Sequence, residues 1–103
     1  LQAYETPDGQ RPFAEGFNGL RDTQVSRAVA LRLTRLAEGN PGDCKPIGDG
    51  LHELRIHLGP GWRVYFGYDG PRLVILLAGS GKGEQRRAIE RAKRYWKQYS
   101  TER

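Results

Sequence analysis

At 103 residues the chain has the length of one domain, enough to bury a modest core without disulfide or metal staples. Its single cysteine, Cys44, excludes an intramolecular disulfide and fits a reducing cytosol. With no 18-residue apolar run and no signal peptide, the expectation is a cytoplasmic protein with no membrane partner.

The net charge of +5 is unevenly placed. Residues 82–103 hold 8 basic and 3 acidic groups, whereas residues 1–81 hold 9 of each. Such clustering suits an anionic partner, nucleic acid first, and a solvated helix face would give the same pattern. The chain contains no Met, so Leu1 is read as a trimmed start.

In chain order, "LQAY" predicts a short strand, and the turn-rich "ETPDGQRP" follows it. "FAEGFNGLRD" predicts a short helix weakened by Gly16 and Gly19. Asp22 is a suitable N-cap for "TQVSRAVALRLTRLAEGN". There Val25, Val29, Leu33 and Leu36 recur at helical spacing, Arg27, Arg32 and Arg35 fall elsewhere on the wheel, and Gly39 supplies the stop. Residues 12–38 are therefore expected to form a helical hairpin. An edge strand follows at 44–47, where Pro46 is tolerated. Three strands are predicted at 51–58, 62–68 and 72–79, with Asp69-Gly70 turning into the last. That last strand, "RLVILLAG", is continuously apolar, as a strand buried on both faces would be. "GEQRRAIERAKRYWKQY" predicts a long helix. Ala88, Ala92, Tyr95 and Tyr99 form one stripe, Ile89 and Trp96 lie beside it, and basic residues lie opposite. Tyr95 and Trp96 read as core, not as base-stacking platforms. Strands grouped apart from helices predict an α+β domain over 1–103 with an antiparallel meander.

The segment "HELRIHLGPGWRVYFGYDG" carries unusual polarity for a hairpin. A three-residue turn, Gly59-Pro60-Gly61, would pair Leu58 with Trp62, His57 with Arg63, Ile56 with Val64, and Arg55 with Tyr65. Leu54, Ile56, Leu58, Trp62, Val64 and Phe66 would then share the core face. Glu53, Arg55, His57, Arg63 and Tyr65 would share the other. Such a face is either solvated decoration or a site. As a site, two arginines hold a phosphate and stabilise its charge, His57 is the acid/base by type, and Arg55 would lower the pKa of Tyr65. RNA supplies its own nucleophile, the 2′-hydroxyl, so such a group needs no metal or cofactor.

Other motifs carry less. "GSGKG" fails the phosphate-loop fingerprint at both its first glycine and its final hydroxyl residue, although Lys82 in a glycine-rich turn before a helix remains a phosphate candidate. His52 and His57 alternate faces without cysteine or carboxylate sets, so no metal site is expected.

Beyond these readings, "GNPGDCKPIGDGLHELRIHLGPGWRVYF", the apolar strand and glycine-rich turn after it, and the upstream "YETPDGQRPF" and "LRD" resemble the RelE/ParE superfamily of bacterial toxins, nearest its HigB-like "addiction module killer" branch. The resemblance covers most of the chain. It implies a RelE-like fold: an N-terminal strand, a helical hairpin, an antiparallel meander of three to four strands and a C-terminal basic helix. It further implies a toxin of a type II toxin–antitoxin system, a ribosome-dependent, metal-independent mRNA endoribonuclease acting through 2′-hydroxyl attack. The partners implied are the ribosome, mRNA and a helix-turn-helix antitoxin, with operator DNA reached only through the antitoxin. By motif, Lys45, Arg55, Arg63, Tyr65 and Lys82 carry over. Arg55, Arg63, Tyr65 and Lys82, joined by His57 on residue type, are the catalytic candidates. Lys45 and, from the basic face of the last helix, Arg86, Arg87, Arg91 and Arg94 are the candidate RNA contacts. The same superfamily includes ParE-like gyrase inhibitors, and a degenerate toxin could persist as a co-repressor. On this reading Arg63→Ala and Tyr65→Phe each abolish growth arrest.

Overall fold

The computed structural model describes residues 1–71 and 73–102. Its elements are β1 (Gln2–Ala3), α1 (Pro12–Asn18), α2 (Thr23–Ala37), β2 (Cys44–Gly48), β3 (Leu51–Ile56), β4 (Trp62–Asp69), β5 (Leu73–Ser80), a 3-10 turn (Lys82–Glu84) and α3 (Gln85–Glu102). The expected start of the third long strand at Arg72, and Arg103 of the basic tail, lie outside the described residues.

Strands β2 to β5 form the expected antiparallel meander, and β1 adds in parallel to the outer edge of β5. The sheet is thus five-stranded and mixed, in the order β1-β5-β4-β3-β2, within an α+β fold. Asp22 caps α2, its carboxylate accepting from the backbone N–H of Gln24 and Val25, and Gly39 ends that helix at φ +87°. Pro46 lies on the edge strand, where its missing N–H costs no ladder bond.

Helices cover both faces of the sheet. On one face, Phe13 of α1 and Val25, Val29 and Leu36 of α2 pack on Leu54, Ile56, Trp62, Val64, Phe66, Val74 and Leu76. On the other, Ala88 and Ala92 of α3 pack on Leu51, Tyr65, Ile75, Leu77 and Ala78, with Tyr95, Trp96 and Tyr99 closing the margin. Strand β5 is buried on both faces, as its unbroken apolar run implies. Each large side chain so buried contributes roughly 1.5–3 kcal/mol.

Two glycines seat the tryptophans. A Cβ on Gly79 would lie 2.1 Å from the Trp62 ring, and one on Gly67 would lie 2.7 Å from the Trp96 ring. Both backbones are ordinary, so the requirement is space alone.

The hairpin differs from expectation in register. Arg55 pairs with Arg63, Glu53 with Tyr65, Leu54 with Val64 and Ile56 with Trp62. The strand stops at Ile56, and the connection has five residues, 57–61, instead of three. Gly59 and Gly61 both take positive φ, and the Gly61 N–H donates to the Leu58 carbonyl at 2.9 Å. Leu58 leaves the core face and is 39% exposed. The slip is two residues, so the alternation of faces survives. The polar face is also not left wholly open, because α3 lies over its lower half and only the end toward the hairpin turn stays uncovered.

Candidate active site

The uncovered end of that face begins with a like-charged pair. Arg55 and Arg63 stand directly opposite on β3 and β4, where like charges repel. Glu53, two residues back on the same face and only 3% exposed, offsets the repulsion. Its Oε1 lies 3.9 Å from Arg55 Nε and its Oε2 lies 3.8 Å from Arg63 Nε. From the neighbouring strand, Lys45 Nζ comes within 4.0 Å of Oε1. One buried carboxylate therefore serves cations from β2, β3 and β4. Arg55 Nε is buried and has no hydrogen-bond partner among the described residues, so charge alone holds that edge of its guanidinium. The Gln85 amide, oriented by its hydrogen-bond network, accepts from Arg63 Nε at 2.7 Å and donates to the Lys82 carbonyl at 3.2 Å. This fastens the 3-10 turn to β4.

His57 stands where the chain leaves β3. Its Nε2 bonds Asp43 Oδ2, and Asp43 Oδ1 also lies 3.5 Å from Arg55 Nη2. The hydrogen bond from His57, helped by the charge of Arg55, outweighs desolvation and holds the Asp43 carboxyl below its ordinary range. The Asp43 backbone is fixed as well. Its carbonyl accepts from the Arg55 N–H at 3.0 Å and from Arg32 Nη2 at 3.0 Å. Arg32 in turn donates to the carbonyls of Arg55 at 2.7 Å and Pro41 at 3.1 Å. An arginine that falls off the apolar stripe of the helical wheel is thus a clamp between α2, β3 and the loop before β2.

Arg55, His57, Arg63 and Lys82 converge on one cleft of about 230 Å³, walled by Gly59, Pro60, Gly61 and Trp62. Four of the five catalytic candidates therefore meet. With Lys45 on its flank, the region sets four cations against two carboxylates, Glu53 and Asp43, which suits a phosphate-bearing ligand.

Tyr65, the fifth, does not line the cleft. It is fully buried beneath α3, with its hydroxyl 3.4 Å from Ser80 Oγ. Burial raises its pKa above the usual phenol value, the added charge of Glu53 works the same way, and Ser80 and Arg63 only partly oppose them. The expected lowering by Arg55 is overturned, since the register slip sets Glu53, not Arg55, opposite the phenol.

Among the RNA-contact candidates, Arg86 and Arg87 are exposed on the first turns of α3, next to Lys82. Arg91 is half-buried, and Arg94 lies with its guanidinium 5.5 Å over the Tyr95 ring. Arg94 borders a separate hollow with Lys97, Gln98, Thr101 and Glu102, away from the cleft. His52 lies on the opposite face of the sheet, stacked on Phe66, where burial lowers its pKa. No group of three or more His, Cys, Asp or Glu side chains suited to a metal ion occurs among the described residues.

Sequence reasoning missed Asp43, Arg32, Ser80 and Gln85. Asp43 was within reach: the β2–β3 ladder pairs Cys44 with Leu54, so one step further sets Asp43 against Arg55. Ser80 stands opposite Arg63 in the β4–β5 ladder, and Arg32 and Gln85 follow only from tertiary packing.

No protein-family model matches the chain, and no solved structure matches it. A curated protein of Haemophilus influenzae (strain ATCC 51907 / DSM 11121 / KW20 / Rd), described as "Uncharacterized protein", is 40% identical over 81 residues. The match spans 79% of this chain and 82% of that protein. The chain belongs to the same family as this Haemophilus protein. No helix among the described residues is long and apolar enough to cross a membrane.

Proposed function

We propose that the protein is a RelE/ParE-type toxin of the HigB-like branch, the toxic half of a type II toxin–antitoxin pair, and that it cleaves mRNA on the ribosome in the cytoplasm. The observation that carries this reading is the convergence of Arg55, Arg63, His57 and Lys82 on one cleft. Guanidinium groups clamp a scissile phosphate and stabilise the charge that grows on it as the 2′-hydroxyl attacks. A histidine at the rim supplies acid–base chemistry at neutral pH. Arg86 and Arg87 extend the positive surface from the Lys82 side. A helix-turn-helix antitoxin is the expected neutralising partner, with operator DNA reached through it.

The test is to induce the protein in cells and map mRNA 5′ ends by primer extension. Codon-phased cuts in translated messages, lost in Arg63→Ala, support the reading. The burial of Tyr65 favours one rival, a ParE-like binder of DNA gyrase, because the cleft then lacks a phenol. Intact mRNA together with cleaved DNA–gyrase complexes would establish that rival instead. Intact mRNA and intact gyrase complexes, with operator binding only beside the antitoxin, would mark a co-repressor.

A further inference from the structure

We infer that His57 is the group that moves the proton in the cleft, and that Asp43 is its positioning residue. The inference rests on the phosphodiester-cleaving reading above and deepens it. The candidates for moving a proton are His57 and Tyr65. Tyr65 is sealed beneath α3 with its hydroxyl on Ser80, whereas His57 is exposed and lines the cleft with both arginines and Lys82.

The hydrogen bond fixes the tautomer. A carboxylate held in its ionised form only accepts, so the shared hydrogen resides on His57 Nε2. In the neutral ring this leaves Nδ1 with its lone pair free to act as a base. Asp43 can hold the ring because its own main chain is pinned from α2 by Arg32 and from β3 by the Arg55 N–H. The arrangement has the logic of an acid–base histidine oriented by a buried or pinned carboxylate, here through the opposite ring nitrogen from the one used in serine proteases.

The step balances as follows. The 2′-hydroxyl proton passes to Nδ1 while the O2′–P bond forms. The P–O5′ bond breaks, and the 5′-oxygen leaves with its electron pair and takes a proton from water. The imidazolium returns its proton to the resulting hydroxide, leaving a 2′,3′-cyclic phosphate and a 5′-hydroxyl end. The charged groups around His57 are Asp43, Arg55 of β3, Arg63 of β4 and Lys82 of the 3-10 turn.

The experiment uses purified protein with translating ribosomes, cut ends counted by primer extension from pH 5.5 to 8.5. It compares wild type, His57→Ala, Asp43→Asn and Asp43→Glu. The expected loss is on the order of 100-fold or more for His57→Ala, as general acid–base catalysis contributes. Asp43→Asn should lower cleavage roughly 10-fold and lose the Nε2–H tautomer of His57 in nitrogen-15 NMR, because the ring loses the carboxylate that orients it. Asp43→Glu should recover part of both. A merely structural Asp43 would lower activity without changing the His57 tautomer, and that result overturns its assigned role. Wild-type cleavage that survives His57→Ala within about threefold overturns the dyad while leaving the nuclease reading intact. Absence of wild-type cleavage overturns the nuclease reading itself. The dyad is then judged by nitrogen-15 NMR of the histidine rings: the Nε2–H tautomer at His57, lost in Asp43→Asn, supports it, and the Nδ1–H tautomer overturns it.

Discussion

At the scale of single residues, the cleft depends on a carboxylate that never reaches its surface. Glu53 stands between two arginines that would otherwise repel across the ladder, and Lys45 leans on it from the edge strand. Glu53→Gln is expected to cost about 1–3 kcal/mol, read as a lower urea midpoint, because Arg55 Nε has no other partner. Arg63→Ala should abolish growth arrest while thermal melting still shows a cooperative fold, since Arg63 lies at the cleft wall. Tyr65→Phe removes a buried hydroxyl that meets Ser80 and Glu53, so a loss of about 1–3 kcal/mol is expected, with growth arrest retained. That outcome reverses the sequence-based expectation; a non-toxic Tyr65→Phe of normal stability would restore the phenol to the mechanism. The sequence could bring Arg55, Arg63 and Tyr65 to one face by parity alone. It could not show that α3 roofs one of the three and leaves the others open.

Among the elements, most boundaries were legible because each had a local cause: the Asp22 cap, the Gly39 stop, the alternation in β3 and β4 and the unbroken apolar run of β5. The hairpin register was not, because alternation has period two and a two-residue slip leaves the side chains still paired in the ladder on their predicted faces. In the observed register His57 leaves the ladder and bonds Asp43 in the preceding loop, a partner that a reading of residues 52–70 does not contain. The glycine seats give the sharpest test at this scale. Gly67→Ala and Gly79→Ala should each destabilise by about 1–3 kcal/mol, the second more, since its Cβ would approach the Trp62 ring to 2.1 Å against 2.7 Å for Trp96 at Gly67. Combining Gly67→Ala with Trp96→Leu should recover part of the loss, as shown by a double-mutant cycle of denaturant midpoints. Asp22→Ala should cost about 1 kcal/mol through the lost cap of α2.

Across the whole molecule, a single sheet separates two apolar layers, α1 and α2 on one side and α3 on the other. The amphipathic stripe of α3 was visible in the sequence, but a stripe states only that a face is buried, not which surface receives it. Its docking on the half-polar face sets the alkaline limit of the fold. Burial, helped by Glu102, raises the Tyr4 pKa from 10.0 to about 12, and burial raises Tyr65 in the same direction. These groups are held neutral in the folded state and ionise more readily when unfolded. Their contribution is therefore complete below pH 10 and is lost as pH rises toward 12. Melting temperature should stay level near pH 9 and fall steadily above 10, and a flat profile to pH 12 would contradict the burial of Tyr4 and Tyr65. The two tryptophans have a spectroscopic consequence. Trp62 faces α1 and α2 and Trp96 belongs to α3, so each layer contains its own fluorophore and neither contains two. Versions of the protein retaining one indole at a time would emit separately from the two sides of the sheet. Stopped-flow traces of the pair would then time the arrival of each layer during refolding.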